Sequence, residues 1–249
     1  CLACLYFFVL LYVKKGRTFV CIRPKMFCLK GSIVLGVCGV GIPASIQNLL
    51  NVTGMTILNN FTASYGADAV AAMGITQKVN MVPMYIAMGL SQGIMPLISY
   101  NYASGNIKRT KHTISFSAKV SLVFMIGASV LYYAGAGFIT SLFMENEAII
   151  GYGTRFLRGF CLALPFLCID FLSVGVFQAV GMGKEAFIFA ILRKIVLEIP
   201  ALFLLNLLFP LYGLAYAQMT AEIILAAAAV FVLKRMFKKL ENPQKDSKI

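Results

Sequence analysis

Asp170 and Glu222 are carboxylates placed in the middle of apolar runs, Asp170 in LALPFLCIDFLSVGVFQ and Glu222 in AQMTAEIILAAAAV. An ionisable group inside a membrane helix is costly to keep and is by default a functional candidate. Pro165 precedes Asp170 by five residues. Its missing N–H should loosen the helix there and free a carbonyl. Gln178 follows eight residues after Asp170, about two turns along the same face, with Ser173 and Phe177 beside it. A buried carboxylate at a proline kink can take up Na⁺ or a proton, or pair with a cationic compound. The alternative is a structural Asp hydrogen-bonded to a neighbouring helix. Glu222 is surrounded by small residues, so it serves either a site or a packed helix seam.

Amides form the second group of candidates. Gln47, Asn48 and Asn51 fall within about one turn of a stretch that also carries Ser45, Thr53, Thr56, Asn59 and Asn60. A helix facing only lipid would not carry them, so they line a water-filled cavity or a helix seam. The next stretch adds Gln77, Asn80, Ser91 and Gln92, with Pro83, Gly89, Gly93 and Pro96 to bend it. Bent, glycine-bearing helices suit a transporter that rocks between states. The remaining embedded charges have plainer readings. Glu198 follows Lys194 by four residues and reads as an i,i+4 ion pair. Lys119 can snorkel to the surface. Arg155 and Arg158 read as partners of Glu145, Glu147 or lipid phosphate, and Lys78 as a carboxylate partner or a snorkelling side chain.

The elements that must hold these groups are membrane helices. Hydrophobic residues make up 60% of the chain and charged residues 12%, more apolar surface than 249 residues could hide from water. About 20 apolar residues cross the hydrocarbon core. A partial span is read at 1–13 and six full ones near 31–62, 67–101, 114–137, 150–180, 186–209 and 212–236. The expected fold is all-α and integral to a membrane. Residues 1–13 end a preceding helix and 14–30 form a basic linker, either amphipathic or an ordinary loop. Residues 31–236 form a six-helix lobe, and 237–249 a basic tail.

Charge sorts the loops. Lys14, Lys15, Arg17, Arg23, Lys25 and Lys30 occupy one connection, and Lys108, Arg109 and Lys111 the loop at 102–113. Lys184 sits in a third, and Lys238, Lys239, Lys245 and Lys248 in the tail. The alternate connections at 63–66, 138–149 and 210–211 hold none. The positive-inside rule places the basic side, and with it the C-terminus, in the cytoplasm. The net charge of +13 is therefore a topology signal. Nucleic acid is not an expected partner, because the cations are spread over four segments. The lipid bilayer is.

Other chemistry is thinly supplied. Of seven cysteines, five lie in apolar runs and read as small packing residues, the Cys1-x-x-Cys4 pair included. His112, the single histidine, lies among Lys108, Arg109 and Lys111, a poor place to bind a cation. No nucleophile triad or phosphate-cradling glycine loop occurs, so an enzyme is not expected and no cofactor is implied. An energy source must be an ion gradient or lie on another chain. Twenty Phe, eleven Tyr and twelve Met suit a pocket for varied apolar cations, although most must face lipid or core.

Five stretches together resemble one family. They are GIPASIQNLLN at 41–51, AMGITQKVN at 72–80, GLSQGIMPLISYNYASGNIKRTK at 89–111, LFMENEAIIGYGTRFLR at 142–158 and FQAVGMGKEAFIFAILRKIVLEIP at 177–200. As a set they are similar to the multidrug and toxic compound extrusion (MATE) family, most of all to the C-terminal lobe of a bacterial, MepA-like member. The resemblance implies a twelve-helix antiporter of two six-helix lobes in the bacterial plasma membrane. It would export organic cations in exchange for Na⁺ or H⁺ by alternating access. The partner would be an N-terminal lobe of the same protein. Asp170 falls near an ion-binding Asp of the NorM-type branch, which makes Na⁺ possible there. That branch places a Glu eight residues after a helix proline. Counting from Pro43 gives Asn51, which can ligate Na⁺ but cannot carry a proton. Gln77 and Asn80 match a polar motif of the following helix. A lipid-linked oligosaccharide or lipid flippase of the same superfamily is the alternative. It would need a cationic cavity, for which Lys78, Arg155 and Arg158 are the candidates.

Overall fold

The computed structural model describes residues 5, 6, 8–10 and 30–241. The 14–30 linker, the Cys1/Cys4 pair and the tail beyond 241 thus lie almost entirely outside the described residues. The chain divides into two units, Cys1–Ile42 and Pro43–Ile249. In the first, residues 5, 6 and 8–10 are helical and a helix begins at Gly31. The second is a helical bundle and carries everything that follows.

The helices are α1 (Gly31–Ala63), α2 (Ala67–Ala103), α3 (Ile107–Ser141), α4 (Glu147–Cys161), α5 (Leu164–Ala179), α6 (Gly183–Ile191), α7 (Ile199–Leu208) and α8 (Gly213–Glu241). A π-helical segment, Leu192–Glu198, joins α6 to α7. Among the described residues no strand occurs. Among the described residues three helices, α2, α3 and α8, are long and apolar enough to cross a membrane. The α4–α5 pair makes a fourth span if its 45° bend is counted within one crossing. Large apolar side chains face outward, Leu207 at 82% exposure and Val123 at 71%. That surface is stable against lipid and not against water.

Three boundaries differ from the sequence expectation. The 150–180 span is two helices, broken after Cys161. The 186–209 span is interrupted by the π segment. The 102–113 loop shrinks to a tight turn, because Asn106 caps α3 by accepting from the Arg109 N–H at 3.1 Å. Lys108, Arg109, Lys111 and His112 therefore lie on the first turns of a helix.

The prolines explain the bends. Pro165 has no N–H to give the Cys161 carbonyl one turn back. Ser129 of α3 takes that carbonyl instead, its hydroxyl donating at 2.7 Å in a buried setting. Pro83 frees the Val79 carbonyl of α2 in the same way, and the Tyr132 hydroxyl reaches it at 3.4 Å. Ser129 and Tyr132 are three residues apart, so one turn of α3 serves both freed carbonyls. Nothing in water could have done so inside a bilayer.

Small residues bring the helices close. A Cβ on Gly175 of α5 would collide with the Ser91 hydroxyl of α2. Ser91 donates to the Phe171 carbonyl at 2.7 Å, and Ser99, two turns on, donates to the Ala179 carbonyl at 2.8 Å. Gly159 lets α4 approach α8, where an added Cβ would stand 2.7 Å from that of Ala215. Such contacts replace the hydrophobic driving force that lipid removes.

Candidate functional site

Each of three helical segments carries a charge near its middle. Asp170 is nine residues from the end of α5, Arg193 ten from the start of α6, and Glu222 nine from the start of α8. At 1.5 Å per residue each charge lies roughly 15 Å from a helix end, about half the thickness of a bilayer core. The three segments pack together, so the three charges meet.

Arg193 bridges the acids. Its Nη1 lies 3.3 Å from Asp170 Oδ2, and its Nη2 lies 2.8 Å from Glu222 Oε1. The shorter contact pairs opposite charges without the alignment of a hydrogen bond. The guanidinium also stacks over the Phe171 ring, 4.9 Å from its centre, a cation–π contact that holds its plane. All three charged side chains are buried, Glu222 completely. Asp170 Oδ1, Arg193 Nε and Glu222 Oε2 find no hydrogen-bond partner among the described residues.

Apolar layers close the cluster above and below. Phe160, Leu202 and Ala217 belong to one buried cluster, and Val174, Phe189 and Leu225 to another. Arg193 falls between Phe189 and Leu202 and Glu222 between Ala217 and Leu225, while on α5 Asp170 falls between the buried Leu167 and Val174. Lys194 and Glu198 extend the charge toward α1, paired at 2.6 Å in the expected i,i+4 register. Gly54 makes room for them: a Cβ there would stand 3.3 Å from Lys194 Nζ and 3.5 Å from Glu198 Oε1. Two cations thus face three buried carboxylates.

The other candidates are placed as follows. Gln77 donates to Asn59 Oδ1 at 3.1 Å, joining α2 to α1. Asn80 is buried on α2, and its Oδ1 has no partner among the described residues. Asn51 is half-buried, and the Gln47 side chain lies outside the described residues. Thr53 and Thr56 satisfy their hydroxyls on their own helix, at Leu49 and Val52. Gln178 does not share the face of Asp170: eight residues leave it about 80° out of phase, and it is exposed. The cations expected near Glu145 and Glu147 go elsewhere. Arg155 donates to the Tyr212 hydroxyl at 2.9 Å, and Arg158 to the Tyr133 carbonyl at 3.3 Å. Each lies over the ring of that tyrosine. Lys78 is exposed.

Sequence reasoning passed over Arg193, which sits beside Lys194 and reads as part of a basic pair near the cytoplasmic end. Counting residues from each helix end would have found it, since that count puts it level with both acids.

An all-α membrane lobe with a buried charge cluster at mid-depth belongs to the architecture of membrane transporters, and the comparisons place it within that class. The MatE family model matches residues 43–204, and the chain belongs to that family. It is 33% identical over 232 residues to multidrug export protein MepA of Staphylococcus saprophyticus, covering 91% of this chain and 50% of that protein. The protein of the same description in Staphylococcus haemolyticus is 37% identical over 203 residues, 81% of this chain and 44% of its own length. The chain therefore spans about half the length of the curated relatives it matches. An outward-facing multidrug resistance MATE family transporter of the MOP superfamily superposes with a TM-score of 0.85 at 19% identity, over 96% of this chain and 54% of that one. A MATE in the straight conformation gives 0.85 at 18%, over 95% and 54%. At that identity the two structures show the fold. The relatives are named as a multidrug export protein and a MATE family transporter.

Proposed function

We propose that this chain is the C-terminal lobe of a secondary active multidrug antiporter. It exports organic cations in exchange for Na⁺ or H⁺, with its basic loops and C-terminus in the bacterial cytoplasm. The observation that carries this reading is the buried Asp170–Arg193–Glu222 cluster, because its carboxylates outnumber the cation they share. A low-dielectric interior does not keep an uncompensated charge. One further monovalent cation or proton settles the balance, and a cationic substrate that removes it completes an exchange. The half-length match to multidrug export proteins supports a second lobe as the partner across a central cavity.

The flippase reading needs exposed cations gathered to hold a pyrophosphate. Arg155 and Arg158 are instead taken by separate tyrosines, and Arg193 is buried between acids. The antiporter reading is therefore preferred.

Accumulation of a fluorescent lipophilic cation tests it, in cells making the full-length transporter that contains this lobe. The expected result is lower accumulation than in empty cells, lost in Asp170→Asn at equal membrane abundance. Equal accumulation in all three would reject cation export.

A further inference from the structure

We infer that Arg193 is a tethered counter-cation, competing with the exchanged monovalent cation for Asp170 and Glu222. This rests on the antiport reading and names how its site is regulated. Three features of the geometry carry it. First, one guanidinium serves two carboxylates unequally, at 2.8 Å to Glu222 and 3.3 Å to Asp170. Among the described residues it leaves Asp170 Oδ1 and Glu222 Oε2 without a hydrogen-bond partner, although both residues are all but fully buried. Those oxygens are buried acceptors in a cluster where carboxylates outnumber the guanidinium they share. Second, the other cation that the described residues place in the cluster, Lys194, is committed to Glu198 at 2.6 Å. It cannot supply the missing charge without abandoning that pair.

Third, Arg193 stands on a segment able to move it. Leu192–Glu198 is π-helical, with each N–H bonding five residues back where an α-helix bonds four. Rewinding to α geometry shifts the register by one residue, about 100° of rotation about the axis. That carries a long side chain on or off its partners while the segment keeps its backbone bonds. Phe171 provides a face on which the guanidinium stays docked in the present arrangement. With Arg193 in place, the acids hold an incoming cation weakly; with Arg193 withdrawn, they bind it tightly. The resident arginine thus sets how readily the site empties.

Dicyclohexylcarbodiimide reads the site directly, because it labels buried carboxyls that carry a proton and spares those holding another cation. Labelling would be mapped by mass spectrometry on the full chain in membranes, without any drug and with choline as the only bulk cation. Arg193→Gln should raise labelling at Asp170 or Glu222 roughly fivefold or more over the parent, since a proton takes the place of the guanidinium. Glu198, paired with Lys194, should stay as in the parent. Added Na⁺ that suppresses the new labelling identifies Na⁺ as the competitor, and indifference to Na⁺ identifies the proton. Both outcomes support the inference. Equal labelling in parent and Arg193→Gln overturns it. A rise at Glu198 as well signals an unfolded variant, and Arg193→Lys then decides. Its charge is kept but its fork is lost, so it covers one acid and not both; a rise confined to the other acid is expected, and no rise at either overturns the proposal. Labelling needs no transport, so it stands or falls separately from cation export.

Discussion

Asp170 and Glu222 share one guanidinium, and their substitutions should therefore not act independently. Asp170→Asn or Glu222→Gln leaves one acid with one arginine, a neutral pair with no demand for a further cation. Each is expected to lower cation export by about tenfold or more without loss of membrane insertion, read as efflux at matched abundance. Removing both charges has a different consequence. Arg193 is then buried without a counter-ion, at a cost of about 3–5 kcal/mol. The double variant should melt well below either single variant in detergent, and equal midpoints would show that the three residues are not one unit. Asp170 and Glu222 stand out in the sequence because a lone acid in an apolar run is costly, a cost that a site or a structural contact between helices would equally explain. Arg193 does not, because a basic residue beside Lys194 is also what a cytoplasmic helix end carries. Local sequence does not distinguish a cation that snorkels from one that bridges.

The carbonyls freed by proline in α2 and at the α4–α5 break both find donors on a third helix. Pro83 and Pro165 are visible in the sequence, and so is the loosening they cause. What is not visible is that Ser129 and Tyr132, on one turn of α3, take the two freed carbonyls. Nothing in their own neighbourhood marks a serine or tyrosine as the cap of a distant helix. Ser129→Ala is expected to cost about 1 kcal/mol, measured by reversible unfolding in mixed micelles. An unchanged stability would mean that the Cys161 carbonyl has another donor. Gly175→Val should act more severely. Its side chain would occupy the place of the Ser91 hydroxyl, parting α2 from α5 next to Asp170, and the variant is expected to lose both stability and export. The π segment was likewise hidden, since Leu192–Glu198 has the composition of an ordinary apolar helix with one charged turn. Pro200, just beyond it, was the available hint that backbone bonding there departs from the α pattern.

At the scale of the molecule, hydropathy and loop charge are strong signals because a bilayer imposes them on every span. They account for the helix order and for the alternation of basic connections with ones that carry no Lys or Arg. The amides of α1 and α2 were harder to place. Their chemistry fits a cavity and a seam equally: Gln77 and Asn59 join α2 to α1 by an exposed hydrogen bond, while among the described residues Asn80 Oδ1 has no partner. A lobe matching half of a multidrug export protein is expected to need its counterpart for transport, and export by this chain alone would contradict that expectation. The most direct test of the account is ion-driven efflux in proteoliposomes of the full-length transporter. An inward Na⁺ or proton gradient would be imposed, and release of a lipophilic cation measured for the parent and for Asp170→Asn. The account predicts release that follows one of the two gradients in the parent and neither in the variant; gradient-driven release of equal size in both would contradict it.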